Sequence, residues 1–159
     1  MFKSEKVRVG DTNKGKAIFA TQKINKDELI FGFGGEILNV ADKYSIQIDD
    51  NKHLSGSGDI NDLLNHSCNP TGYFDFDTLD FKAINDIEEG GEVTFNYLTS
   101  EWEMAVPFDC KCESSSCFKI IKGFKFCTPD QKKGMEEFLS PFIKKKAFYR
   151  VKLITEQTG

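Results

Sequence analysis

Three of the five cysteines in this 159-residue chain, Cys110, Cys112 and Cys117, fall within eight residues. No other feature restricts the fold as much, because thiols packed this closely are expected to close either disulfides or a metal site. Disulfide frameworks belong to small secreted chains. The start, Met1-Phe2-Lys3-Ser4-Glu5, carries no signal-peptide pattern, and no apolar run reaches spanning length. The cluster is therefore expected to be a metal site in an intracellular protein, cytoplasmic or nuclear, with no membrane partner. A net charge of −4 argues against a dedicated nucleic-acid binder, so no direct nucleic-acid contact is expected. The mildly acidic balance suits a basic partner. The length fits one domain with a sizeable core and a small appendage.

The first hundred residues read as short strands and turns. Lys6 to Val9 alternates, Ala17 to Ala20 is a short apolar run, and Gly34-Gly35 separates two further strands, Glu28 to Phe33 and Glu36 to Val40. Tyr44 to Ile48 alternates, and Asn51 to Asp59 reads as a polar, Gly-rich loop. Ile60 to Leu64 reads as a short helix or turn. Phe74, Phe76 and Leu79 to Ala83 suggest a hairpin with Asp77-Thr78 near its tip, and Val93 to Tyr97 another strand. Beyond Cys117 the period changes: Asp130 to Leu139 predicts a helix, which Pro141 breaks or restarts. Lys144-Lys145-Lys146 reads as a solvated helix end. The expected class is mainly β with short helices.

Four segments in one order carry chemistry. Asn65-His66-Ser67-Cys68-Asn69-Pro70 resembles the Asn-His-Ser-Cys-x-Pro signature of SET-domain protein-lysine methyltransferases. Gly91-Glu92-Val93-Thr94-Phe95-Asn96-Tyr97 is similar to their terminal motif, with Asn96 where Asp is usual. Cys110 to Cys117 has the Cys-x-Cys-x4-Cys spacing of a post-SET segment. Gly15-Lys16-Ala17-Ile18-Phe19-Ala20 resembles the opening Gly-x-Gly turn, with Ala17 in place of the second glycine. The resemblance covers roughly residues 5 to 125. It implies a β-clip-like fold of several small sheets with a knot-like active site and a helical C-terminal tail. Its expected divisions are a SET domain at 5–100, a post-SET zinc segment at 106–125 and a C-terminal extension at 126–159.

The implied activity is methylation of a lysine side chain, on a histone or another lysine-containing protein or peptide, with S-adenosylmethionine as methyl donor. Lysine must enter as the neutral amine, which an apolar or aromatic channel favours. By resemblance, Tyr97 is the catalytic residue, and Lys16, Ala17, Ile18, Asn65, His66 and Phe118 hold the cofactor. Tyr44 and Phe95 line the lysine channel. Phenylalanine at position 95, where the family carries a Phe/Tyr switch, implies room for di- or trimethylation. One structural zinc is expected. Three thiolates need a fourth ligand; the resemblance draws it from Cys68, although Cys127 lies nearer in sequence to the cluster. Ala17 serves if its φ is negative. The alternative is a catalytically inactive SET-fold peptide-binding module, with Ala17 as its sign. The insertion between Tyr44 and Asn61 is short, and no Cys-rich segment precedes the domain, which suggests a stand-alone enzyme or a catalytic core. The oligomeric state is left open.

Overall fold

A computed structural model describes residues 4–55, 58 and 60–148. Its strands are β1 (Val7–Thr12), β2 (Gly15–Ala20), β3 (Leu29–Gly32), β4 (Ile37–Leu38), β5 (Ile46–Asp49), β6 (Lys52–Leu54), β7 (Asn65–His66), β8 (Gly72–Asp75), β9 (Asp80–Ala83), β10 (Glu92–Phe95), β11 (Phe108–Asp109) and β12 (Ile120–Ile121). Helix α1 (Pro129–Met135) follows, and residues 141–148 form helix α2. The strands assemble into small sheets ordered β1-β2-β10-β7, β3-β9-β8, β4-β6-β5 and β11-β12. This is the mainly β architecture expected from the sequence. No described helix is long and apolar enough to cross a membrane.

Phenylalanines make the first core. Phe31 stacks on Phe81 at 5.0 Å, and an edge-on series of rings runs from Phe81 through Phe74 to Phe95 at 4.7 and 4.9 Å. Aromatic pairs in this offset or edge-to-face geometry add to the stabilisation from burial alone. The cluster draws on residues from Val7 to Phe95. A second cluster joins Leu98, Trp102, Ile121, Phe124, Met135, Leu139, Phe142 and Ile143. The cysteine-bearing tail and the C-terminal helices therefore pack into one core. Residues 149–159 of the expected extension lie outside the described residues.

Local chemistry explains where the expected elements shifted. Tyr44 lies before β5 rather than on it, 46% exposed, because Asp42 Oδ1 accepts the Tyr44 N–H in a competing turn. Lys52–Leu54, expected in a loop, becomes the central strand of its sheet because β4 and β5 both supply partners; positions 56, 57 and 59 of that loop lie outside the described residues. α1 starts at Pro129 under a Thr128–Gln131 capping box. It gives way at 136–138 to a 3-10 turn, because Ser140 precedes Pro141 and is steered away from helical geometry. Ser140 then caps α2, accepting the Ile143 N–H at 3.2 Å.

Candidate active site

β7 is two residues long and lies parallel to β10, with Asn65 opposite Thr94 and His66 opposite Phe95. Parallel strands need a long connection, and here residues 67–91 supply it, crossing through β8 and β9. β10 stops at Phe95. Asn96, 2% exposed, caps a tight 3-10 turn over Tyr97–Thr99, its Oδ1 accepting the Leu98 N–H at 3.0 Å and its amide donating to Met135 Sδ at 3.2 Å. Tyr97 therefore sits just past the strand, where the chain leaves the first core for the second. Either Asp or Asn can accept at such a cap, so the Asn96 departure leaves the turn intact.

Tyr97 is held at three points. Its N–H donates to His66 Nδ1 at 3.1 Å, its hydroxyl donates to the Leu64 carbonyl at 2.7 Å, and its ring lies 4.8 Å from Phe95. Burial pushes the phenol up to about 12 and the His66 imidazole down to about 4, so both are neutral near pH 7. With its proton committed to Leu64, the phenol oxygen remains an acceptor for an amine N–H. Phe95 is 8% exposed and faces the first core.

Asn65 bridges three strands: its side-chain amide donates to Glu92 Oε1 at 2.9 Å and reaches the Lys16 carbonyl at 3.4 Å. Glu92 belongs to the terminal motif, yet sequence reasoning gave it no role. The β1–β2 hairpin presents Lys16 to solvent, whereas Ala17 and Ile18 are fully buried. Ala17 pairs with Gly10 and is not among the residues of positive φ, so the missing glycine costs no strain. A cavity of about 510 Å³ opens between Asn13 and Lys14 of the hairpin turn and Cys110, Lys111, Glu113, Ser114, Cys117 and Lys119 of the tail. None of the six expected cofactor residues lines it. Lys14, Lys111 and Lys119 outnumber Glu113 there, which suits the carboxylate end of a ligand. Lys14 Nζ also bonds the Lys111 carbonyl, fastening hairpin to tail.

The structure brings the four expected thiols together. Sγ atoms of Cys68, Cys110, Cys112 and Cys117 lie within 4.8 Å of one another, and Cys68 and Cys110 are 3.8 Å apart. A disulfide needs about 2.05 Å. A tetrahedron of Zn–S bonds near 2.3 Å has edges of about 3.8 Å, so the donor set fits zinc. N–H groups aim at the sulfurs as well: Phe118 N–H donates to Cys68 at 3.3 Å and Lys119 N–H to Cys117 at 3.4 Å. Phe118 thus serves the cluster through its backbone. Cys127 stands apart, its thiol directed at the Gly123 carbonyl at 3.7 Å.

Comparison with known proteins agrees with this layout. The SET domain profile matches residues 15–98. Methyltransferase flvH of Aspergillus flavus is 41% identical over 68 residues, covering 40% of this chain and 38% of that protein. Histone-lysine N-methyltransferase mes-4 of Caenorhabditis elegans is 30% identical over 149 residues, covering 72% and 16%. The H3 lysine-36 specific histone-lysine N-methyltransferase of Candida albicans is 28% identical over 142 residues, covering 74% and 17%. The chain spans well under half the length of these relatives. With the profile covering more than half of its residues, from the opening hairpin to the Tyr97 turn, the chain belongs to the SET-domain family.

Proposed function

We propose that this protein methylates a lysine side chain of a protein substrate, a histone being the first candidate, with S-adenosylmethionine as donor. The observation that carries the reading is the seating of Tyr97: a neutral, half-buried phenol with its hydroxyl donating to the Leu64 carbonyl and its oxygen available to an amine. S-adenosylmethionine would supply the electrophilic methyl group. Tyr97 would orient the incoming amine, and the ring of Phe95 would keep the site apolar, favouring the neutral amine that attack requires. Phe95 brings no hydroxyl beside Tyr97 to hold water, which favours di- and trimethylated products. Asn65, His66, Lys16 with the Ala17–Ile18 strand, and Phe118 would hold the donor, with Tyr44 at the channel mouth. Cys68, Cys110, Cys112 and Cys117 would bind one zinc, pinning the tail beside the site. The two relatives named histone-lysine N-methyltransferases support an intracellular enzyme, cytoplasmic or nuclear, whose divisions we read at 5–100, 106–125 and 126–159.

The negative φ of Ala17 removes the sequence ground for an inactive peptide-binding module. Calorimetric titration of the zinc-loaded protein with S-adenosylmethionine tests the reading without a known substrate. Saturable binding, abolished by Asn65→Ala, is expected. Folded, zinc-loaded protein that binds no donor would favour the module instead.

A further inference from the structure

His66 touches both halves of the site. Its Nδ1 accepts the Tyr97 N–H at 3.1 Å, and its Nε2 lies 3.3 Å from Cys68 Sγ. A ring nitrogen that accepts an N–H must present its lone pair, so Nδ1 carries no proton. A neutral imidazole then has its one N–H on Nε2, and the hydrogen bond to Cys68 runs from nitrogen to sulfur. His66 therefore donates to a cage sulfur at one end and grips the backbone of Tyr97 at the other.

We infer that the His66 side chain is a positioning residue, an Nε2–H tautomer that ties the metal-binding thiolate of Cys68 to the backbone of Tyr97, so that filling the cysteine cage and seating Tyr97 are one event. The inference rests on the zinc reading of the cage and deepens it. Hydrogen bonds onto a ligating atom stabilise its anionic form and fix its direction. Cys68 receives two, from His66 and from the Phe118 N–H of the tail. A filled cage holds Cys68 as a thiolate, the better acceptor, and so locks the ring. The locked ring holds the first residue of the 3-10 turn, whose hydroxyl already bonds Leu64. The sequence motif places Asn, His and Cys within four residues, but it does not say that this histidine's ring faces the metal cage.

Two substitutions separate the ends of the bridge. In His66→Asn the amide oxygen stands near the place of Nδ1, keeping the acceptor for Tyr97 and losing the donor to Cys68. In His66→Gln the amide nitrogen stands near the place of Nε2, keeping the donor and losing the acceptor. Zinc affinity, measured by chelator competition, is expected to fall on the order of 10- to 100-fold in His66→Asn and to stay at the wild-type value in His66→Gln. In cobalt-substituted protein the sulfur-to-metal charge-transfer band should move to lower energy in His66→Asn alone, because a thiolate without its hydrogen bond is the better electron donor. In wild-type protein loaded with spin-active cadmium, the His66 Nε2 proton should show scalar coupling to the metal. This last readout needs no variant and stands if His66→Asn does not fold. Where methyl transfer is measurable, both variants should lower kcat. An Nδ1-protonated ring with no coupling, or a His66→Asn protein with wild-type zinc affinity and an unshifted cobalt band, would overturn the inference. Failure of the wild-type protein to take up zinc would overturn the zinc reading, and the inference with it.

Discussion

The Tyr97 hydroxyl gives its proton to the Leu64 carbonyl, and burial lifts its pKa to about 12. Such a phenol orients an amine but does not deprotonate one near neutral pH. A second half-buried acid lies four residues on. Glu101 accepts the Gln47 N–H at 2.9 Å and the Ser100 hydroxyl at 3.1 Å, yet burial outweighs both bonds and pushes its carboxyl up to about 7, from 4.5. The folded state therefore binds this proton more tightly than the unfolded state does. Stability falls as pH climbs from about 4.5 through about 7 and then levels. Glu101→Gln, which keeps an acceptor without the charge, is expected to gain on the wild type between pH 5 and pH 8, by at most about 3 kcal/mol. Urea titrations at both values check this, and parallel curves would contradict it. Tyr97, Asn65 and the cysteines were legible because each sits in a spaced motif. Glu101 was not, since its burial depends on β5, 54 positions away, which no local pattern in Ser100-Glu101-Trp102 records. The ring of His66 was passed over for a related reason: the motif gives its neighbours in sequence, not the sulfur it faces.

Among elements, the link from the β11–β12 hairpin into the second core turns at Gly123. Its φ of 128° lies where side chains are disfavoured, and a Cβ there would stand 2.5 Å from the Trp102 carbonyl oxygen and from Glu103 Cα. Gly123→Ala is expected to cost about 2–4 kcal/mol, from backbone strain and the clash with a fixed chain. Thermal or denaturant unfolding checks this, and a change under about 0.5 kcal/mol, the range of neutral surface changes, would contradict it. Strand and hairpin positions followed alternation closely, as at β8–β9, where Asp75 pairs with Asp80 around the expected tip. The exceptions are elements that depend on neighbours. β6 is polar and short, and it is a strand only because β4 and β5 flank it. Tyr44 left its strand for a turn that Asp42 stabilises.

For the molecule as a whole, the two cores meet at Asn96 and Tyr97, and the cysteine cage borders the second, with Cys68 and Cys110 on its edge. Zinc removal by a chelator should therefore loosen one half more than the other. Amide exchange in residues 98–143 and in the 65–70 segment that carries Cys68 is expected to speed by at least about tenfold while the rest of the first core changes little. Uniform acceleration across both would contradict this division. The fold class was legible because motif order fixed the chain path, whereas the sharing of one core by tail and C-terminal helices was not. That core is assembled from Leu98, Trp102, Phe124 and Ile143, which no single period connects.

Transfer of an isotope-labelled methyl group from S-adenosylmethionine, read by tandem mass spectrometry on core histones and on an unfractionated protein extract, tests whether this protein methylates lysine through Tyr97. Labelled methyl-lysine, including di- and trimethyl forms, is expected, with a fall on the order of 10² to 10³ in rate for Tyr97→Phe, comparable to losing one preorganised polar contact to the reacting group. Labelled lysine at equal levels with wild-type and Tyr97→Phe protein, or none with either despite bound donor, would contradict it.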